Sequence, residues 1–321
     1  MQSFEQLSAR FAAFFAQKHF PGEPASLYEP NEYFLQQGGK RIRPVLCLMG
    51  NEMFDEIGND AWEMATAIEL FHNFTLIHDD IMDKAPLRRG RETVPKKYGE
   101  NTAILAGDVM LIAAYELMNN VDITVLRQVQ KLFNATAKEV CEGQQFDMDY
   151  EKLDTVSFNE YLRMIELKTS VLLAASLKMG AILGGAGERN QNLINEFGRK
   201  LGLAFQVQDD YLDAFGDPAK FGKMVGGDIL SNKKTFLLIH AKEVADEKQQ
   251  IEINRLLQSN HDNKVGEMLE IYRACKVDDW AIQLKDRFLN EALERLDDIA
   301  VLSNRKQPLR ELADYLIRRE S

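Results

Sequence analysis

The sequence is short of cysteine, proline and long apolar runs, and each shortage excludes something. Cys47, Cys141 and Cys275 are its only three cysteines. An odd, scattered set offers neither zinc spacing nor a disulfide framework, and fits reduced thiols in a cytoplasmic protein. No apolar run reaches the roughly 18 residues that a membrane-spanning helix needs, so no integral membrane segment is expected. The stretch MQSFEQLSARFAAFFAQKHF lacks a basic start and a small-residue cleavage site, and its helical period predicts a surface helix rather than a signal peptide. Basic residues are outnumbered, 39 against 50 acids, and the net charge of −11 argues against a nucleic-acid partner. Alternating strand-like runs are missing too.

What remains is helical. Hydrophobic residues make up 45% of the 321 residues and charged ones 28%, enough for a core and for a soluble surface. Apolar residues recur at three- and four-residue spacing nearly throughout. This predicts helices near 3–18, 41–56, 61–83, 102–119, 123–148, 158–185, 190–215, 233–244, 262–275, 278–302 and 308–319, with Asp60 capping the third. Between them, Pro21–Pro30 reads as an irregular linker, Ala85–Gly99 as a polar loop and Gly216–Gly227 as a glycine-rich loop. No Pro/Ser-rich linker halves the chain, so a single all-helical domain over 1–321 is expected.

Two aspartate triplets dominate the pattern. Asp79, Asp80 and Asp83 stand in LIHDDIMD, and Asp209, Asp210 and Asp213 in FQVQDDYLD. In each, acids at i and i+4 share one helical face about a turn apart. Both triplets follow apolar stretches, where bare carboxylates are expensive unless something compensates their charge. Divalent metal ions do so, and magnesium completes its octahedron with water and phosphate oxygens. Basic residues cluster locally despite the acidic balance. Lys40 and Arg43 lie three apart behind Gly38-Gly39, and Arg88 and Arg89 follow the first triplet. An arginine fork matches phosphate geometry. Each element alone reads as a solvated charge run or an ordinary surface lysine; in combination they point to an enzyme that handles diphosphates.

In this order and spacing, the motifs GGKRIRP, DDIMD with RRG, GQ with Asp147 nearby, LKTS, FQVQDDYLD and the GK…GGD…NKK loop resemble those of the trans-isoprenyl diphosphate synthases (polyprenyl synthetases) over about 38–240. The resemblance implies an all-α bundle of about ten or more helices around a central active-site cavity, the isoprenoid synthase type I fold. It also implies a homodimer and Mg²⁺, three ions per active site. Isopentenyl diphosphate would be held by Lys40, Arg43, His72 and Arg89. Asp79, Asp83 and Asp209 would ligate metal, with Asp80, Asp210 and Asp213 ligating or supporting. Arg88, Lys168, Lys223 and Lys233 would contact the allylic diphosphate, with Thr169 and Gln206 beside the reacting carbons. Lys168, Thr169, Gln206, Lys223 and Lys233 are the catalytic candidates. A histidine on an apolar helix is more often a hydrogen-bonded core residue; only the family position raises His72 above that, and His78 is left structural.

A product chain growing from the first acid helix should meet the side chains a turn or more before Asp79. These are Phe71, Phe74 and Thr75. The ring of Phe74 should stop very long products, although core packing alone would also explain both phenylalanines. Thr75 is smaller than the aromatic of many short-chain members, and two residues rather than four separate the acids of the first motif. Both features resemble the geranylgeranyl (C20) type most, then the farnesyl (C15) type. A class I terpene cyclase would normally lack the second DDxxD and would not need GGKRIRP. A non-catalytic partner subunit should have lost acids that are all present here. Whether Arg318 and Arg319 fold back over the site is left open.

Overall fold

The computed structural model describes residues 1–216, 226–259 and 261–318. Lys223, with residues 217–225 of the glycine-rich loop, and Arg319, with the side chain of Arg318, lie outside the described residues. The chain divides into two compact units, each built from several separate stretches, so no single cut in the sequence separates them. One comprises 1–133, 176–191 and 301–308; the other comprises 134–175, 192–300 and 309–321. The fold class is all-α, as the period predicts.

The first unit is built on α1 (Phe4–Phe15), α2 (Ala25–Leu35), α3 (Ile42–Glu52), α4 (Asn59–Met82), α5 (Val94–Tyr98) and α6 (Glu100–Met118). Helix α4 is apolar on most sides and packs chiefly against α6 and α3, as a central helix should. Three expectations fail here. Pro21–Pro30 is not a linker, because α2 begins at Ala25 and carries Pro30 inside it. Burial of Pro30, Asn31, Phe34 and Leu35 along one face outweighs the lost backbone bond. Nor is Ala85–Gly99 wholly irregular: β1 (Leu87–Arg88) pairs antiparallel with β2 (Arg91–Glu92) around Arg89 and Gly90, both at positive φ, and α5 follows. Helix α4 also starts earlier than expected, at a Gly58 cap, leaving Asp60 in its first turn, where it accepts from the Asp122 N–H at 2.9 Å.

The second unit holds the later part of α7 (Ile123–Glu151), α8 (Phe158–Ile165), the start of α9 (Val171–Leu183) and most of α10 (Glu188–Phe215). It continues through α11 (Gly227–Leu230), α12 (Phe236–Val244), α13 (Glu247–Leu257), α14 (Lys264–Ala274), α15 (Val277–Asp297) and the last part of α16 (Ser303–Arg318). The single helix expected over 158–185 is interrupted by a π turn at Glu166–Ser170. Two glycines let neighbours close on that turn: a Cβ on Gly143 of α7 would lie 2.3 Å from the Lys168 nitrogen, and one on Gly202 of α10 would lie 2.7 Å from Ser170. Helix α13 is absent from the expectation because only Ile253 and Leu256 are buried along it. Its capping box, Asp246 with Gln249, was the available signal.

Helix α6 qualifies the expectation about membranes. By length and composition it is apolar enough to cross one, and about a third of the qualifying stretch is buried. Ile104, Leu105 and Ile112 stand exposed along it.

Candidate active site

In the first unit the basic motif and α4 build one wall. Lys40, Arg43, His72 and Arg89 all line a cavity of about 500 Å³, together with Gln37, Gly39, Arg41, Ile42 and Glu69. Residues from three separate parts of the sequence therefore gather as the motif reading expects. Arg43 Nη1 lies 3.1 Å from His72 Nε2. Burial pushes the Arg43 guanidinium down to about 10, with Glu69 opposing. Burial, then the positive charges of Arg43, Arg89, Arg88 and Arg41, push His72 well below the ordinary histidine value. A neutral imidazole accepting from Arg43 follows. His72 Nδ1 and Arg43 Nε are buried without hydrogen-bond partners, polar atoms that a bound anion and its water can satisfy.

Arg41, between the two expected ligands, does something else. It forms an ion pair with buried Glu69 and donates to the Leu35 carbonyl at 2.9 Å. Glu69 is fixed in turn by Asn73 Nδ2 at 2.7 Å. This clamp was missed from the sequence; a glutamate in the apolar run IELF was the only hint. Arg89 donates to the Gly38 carbonyl, tying the loop after α4 to the basic motif.

The first acid triplet closes α4. Asp80 is fully buried and accepts from Arg88 Nε at 2.8 Å through Oδ1. Its Oδ2 is buried with no partner. Asp79 is half-buried, while Asp83 caps the helix and is exposed. Burial raises the Asp80 carboxyl, and Arg88 pulls it back. Phe71 is buried and packs edge-on against Phe133; Phe74 is half-buried and meets the His78 ring. Thr75 returns its hydroxyl to the His72 carbonyl. His78 approaches the Ile104 carbonyl at 3.2 Å, a packing role.

In the second unit α10 carries the other triplet. Asp210 is buried, and both its oxygens are occupied: Tyr161 Oη donates to Oδ2 at 2.6 Å and Gln206 Nε2 to Oδ1 at 2.8 Å. Burial pushes it up to about 7, with Asp228 adding to the rise. Asp209 and Asp213 are half-buried. Asp213 Oδ2 accepts the Asp228 N–H at 3.0 Å. On the π turn, Lys168 Nζ reaches Asp147 at 2.6 Å and Thr169 is half-buried. Lys233 Nζ stands 3.9 Å from Asp228. Burial alone would lower Lys233, but Asp228, Asp210, Asp147 and Asp213 together raise it. Tyr161 and Asp228 were missed, although Tyr161 lies on the helix leading into LKTS.

The donor sets suit magnesium rather than a softer ion, being carboxylates only. The orphaned Asp80 Oδ2 is an acceptor that wants a cation or a water. Among the described residues no group of three or more His, Cys, Asp or Glu side chains forms a ready-made metal cage.

Buried cations lining a cavity and helix-borne carboxylate triplets define an all-helical enzyme of diphosphate chemistry. The polyprenyl synthetase family matches residues 24–275, and the chain belongs to it. It is thus a prenyltransferase of isoprenoid biosynthesis that makes short-chain prenyl diphosphates, and enzymes of this family use Mg²⁺. The chain is similar to a short chain isoprenyl diphosphate synthase of Methanothermobacter thermautotrophicus, 38% identical over 92% of this chain and 91% of the relative. A geranylfarnesyl diphosphate synthase of Natronomonas pharaonis is 34% identical, with 92% and 91% covered. A crystal structure of geranylgeranyl pyrophosphate synthase superposes with a TM-score of 0.95 at 44% identity, covering 100% of both chains.

Proposed function

We propose that this chain condenses isopentenyl diphosphate with an allylic diphosphate and releases geranylgeranyl diphosphate. The observation that carries the two-substrate reading is the cavity where Lys40, Arg43, His72 and Arg89 converge. It is a cationic site with its own counter-ion, Glu69, distinct from the carboxylates that suit metal. Those four residues hold the diphosphate of isopentenyl diphosphate. Arg88, Lys168 and Lys233, with Lys223 by sequence, balance the allylic diphosphate as its C–O bond opens. Asp79, Asp80, Asp83, Asp209, Asp210 and Asp213 hold or orient three Mg²⁺ ions. Bound Mg²⁺ adds positive charge to the leaving diphosphate. Thr169 and Gln206 stand beside the reacting carbons. The isopentenyl double bond attacks the allylic cation, and the proton lost from the adduct passes to the released diphosphate. Apolar walls keep water from the cation.

Exposed Ile104, Leu105 and Ile112 of α6 support a homodimer that covers this helix, in a cytoplasmic enzyme. Phe74, backed by buried Phe71, supports a floor that halts growth at C20. The test is to incubate the protein with Mg²⁺, isopentenyl diphosphate and each allylic primer, and to measure product chains. C20 is expected; C15 or C25 would move the floor, and no elongation would overturn the reading. Phe74→Ala should shift products to longer chains, and an unchanged distribution would remove Phe74 as the floor.

A further inference from the structure

Helix α14 opens on a residue ill suited to a helix start. Lys264 is its first residue and is fully buried. A buried ammonium is costly, and the positive end of a helix disfavours cations further. Its Nζ donates to Asn232 Oδ1 at 2.7 Å. Asn232 adopts the left-handed region, φ 58°, and its Nδ2 donates to the Leu257 carbonyl at 3.0 Å. The next residue is Lys233, whose N–H returns to the Asp228 carbonyl at 2.9 Å. Asp228 in turn gives its N–H to the Asp213 carboxylate. Val265, beside Lys264, packs so tightly on Gly226 that a Cβ there would lie 2.5 Å from Val265 Cγ1. Adjacent residues of α14 thus brace both ends of α11, the short helix between Gly226 and Lys233.

We infer that Lys264 is a positioning residue for the allylic substrate. Through Asn232 it fixes the turn that presents Lys233 and the backbone bond that orients Asp213. Helix α14 carries no sequence motif, yet it preorganises a charged segment two-thirds of the way along the chain. The inference rests on the reading of Lys233 as a ligand of the allylic diphosphate.

The test uses the full chain with Mg²⁺ and three variants: Lys264→Met, Asn232→Gly and the double substitution. Glycine keeps the left-handed backbone but removes the side-chain bonds. KM is measured separately for the allylic and isopentenyl diphosphates, alongside thermal melting. Each single variant should raise the allylic KM about tenfold, the scale of one lost charged hydrogen bond, and leave the isopentenyl KM within about twofold. The double variant should be no worse than Asn232→Gly alone, since that variant already breaks the Lys264–Asn232 contact. If Lys264→Met does not fold, Asn232→Gly carries the same expectation. A parallel rise in both KM values, or lowered melting with neither KM moved, would overturn the inference and leave Lys264 a structural residue. Lys233→Ala separates the two levels. An allylic KM unmoved by Lys233→Ala removes the reading of Lys233 itself. An allylic KM raised by Lys233→Ala but unmoved by Lys264→Met and Asn232→Gly removes only the inference.

Discussion

The two aspartate triplets share a spacing but not an electrostatic setting. In both, the second acid is buried and its neighbours are more accessible. Asp80 is held by a guanidinium, Arg88, and keeps one oxygen without a partner. Asp210 is held by two neutral donors, Tyr161 and Gln206, which occupy both oxygens. Arg88 compensates Asp80 by direct contact, whereas at Asp210 the Lys233 charge and the two neutral donors oppose burial without cancelling it. Asp80 thus keeps an acceptor unused, and Asp210 keeps none. Identical motifs in a sequence do not imply identical jobs.

The largest effect should come from removing the accessible acids that open each triplet. Asp79→Ala and Asp209→Ala should each lower kcat by about 10³-fold or more, the loss of several kcal/mol of charge stabilisation, with circular dichroism unchanged. Retention of most activity in either would dissolve the pairing of the triplets. The next test separates the buried acids. Tyr161→Phe removes a supporting donor and should lower activity or metal affinity by about 10–100-fold. Arg88→Met should instead raise the allylic KM. Equal phenotypes would erase the contrast.

A smaller effect concerns pH. Asp210, near 7 in the folded state against 3.8 ordinarily, binds its proton more tightly when folded. The metal-free protein should therefore lose stability as pH rises from about 4 to about 7. Asp210→Asn should flatten that slope and melt higher than the wild type at pH 8 in chelator. A parallel slope in the variant would contradict the burial argument. The smallest effect is an absence: with His72 held neutral, replacing it by glutamine should leave the pH profile of the isopentenyl diphosphate KM with only the break at about pH 6 that the substrate's own diphosphate causes. A second break near pH 6.5, the ordinary histidine value, that His72→Gln removes would mean that His72 titrates in the free enzyme.

Legibility in the sequence followed the physics of each feature. Helices such as α4 and α10 declare themselves through unbroken apolar period, and the acids through their spacing on those helices. Helix α2 was hidden by Pro30, whose local penalty is outweighed by burial that only the fold supplies. Helix α13 was hidden by its polar surface. The cationic residues at 40, 43, 72 and 89 were identified by motif, and their gathering on one cavity depends on loop geometry at Gly38 and Arg89 that no periodicity encodes. Supporting partners were least legible. Glu69, Tyr161 and Lys264 act through contacts with residues distant in sequence, and their own neighbourhoods offer at most a charged residue in an apolar run at Glu69 and a nearby motif at Tyr161.

The π turn at Glu166–Ser170 has a consequence for how this chain tolerates change. A wider turn accommodates one residue more than an α-helix would, so α8 and α9 are out of register by about 100°. Deleting a single residue there would let α8 and α9 run on as one α-helix with their faces kept, so the damage should be local, to Lys168 and its reach to Asp147. A deletion within α9 itself would instead turn every later side chain of that helix by about 100°.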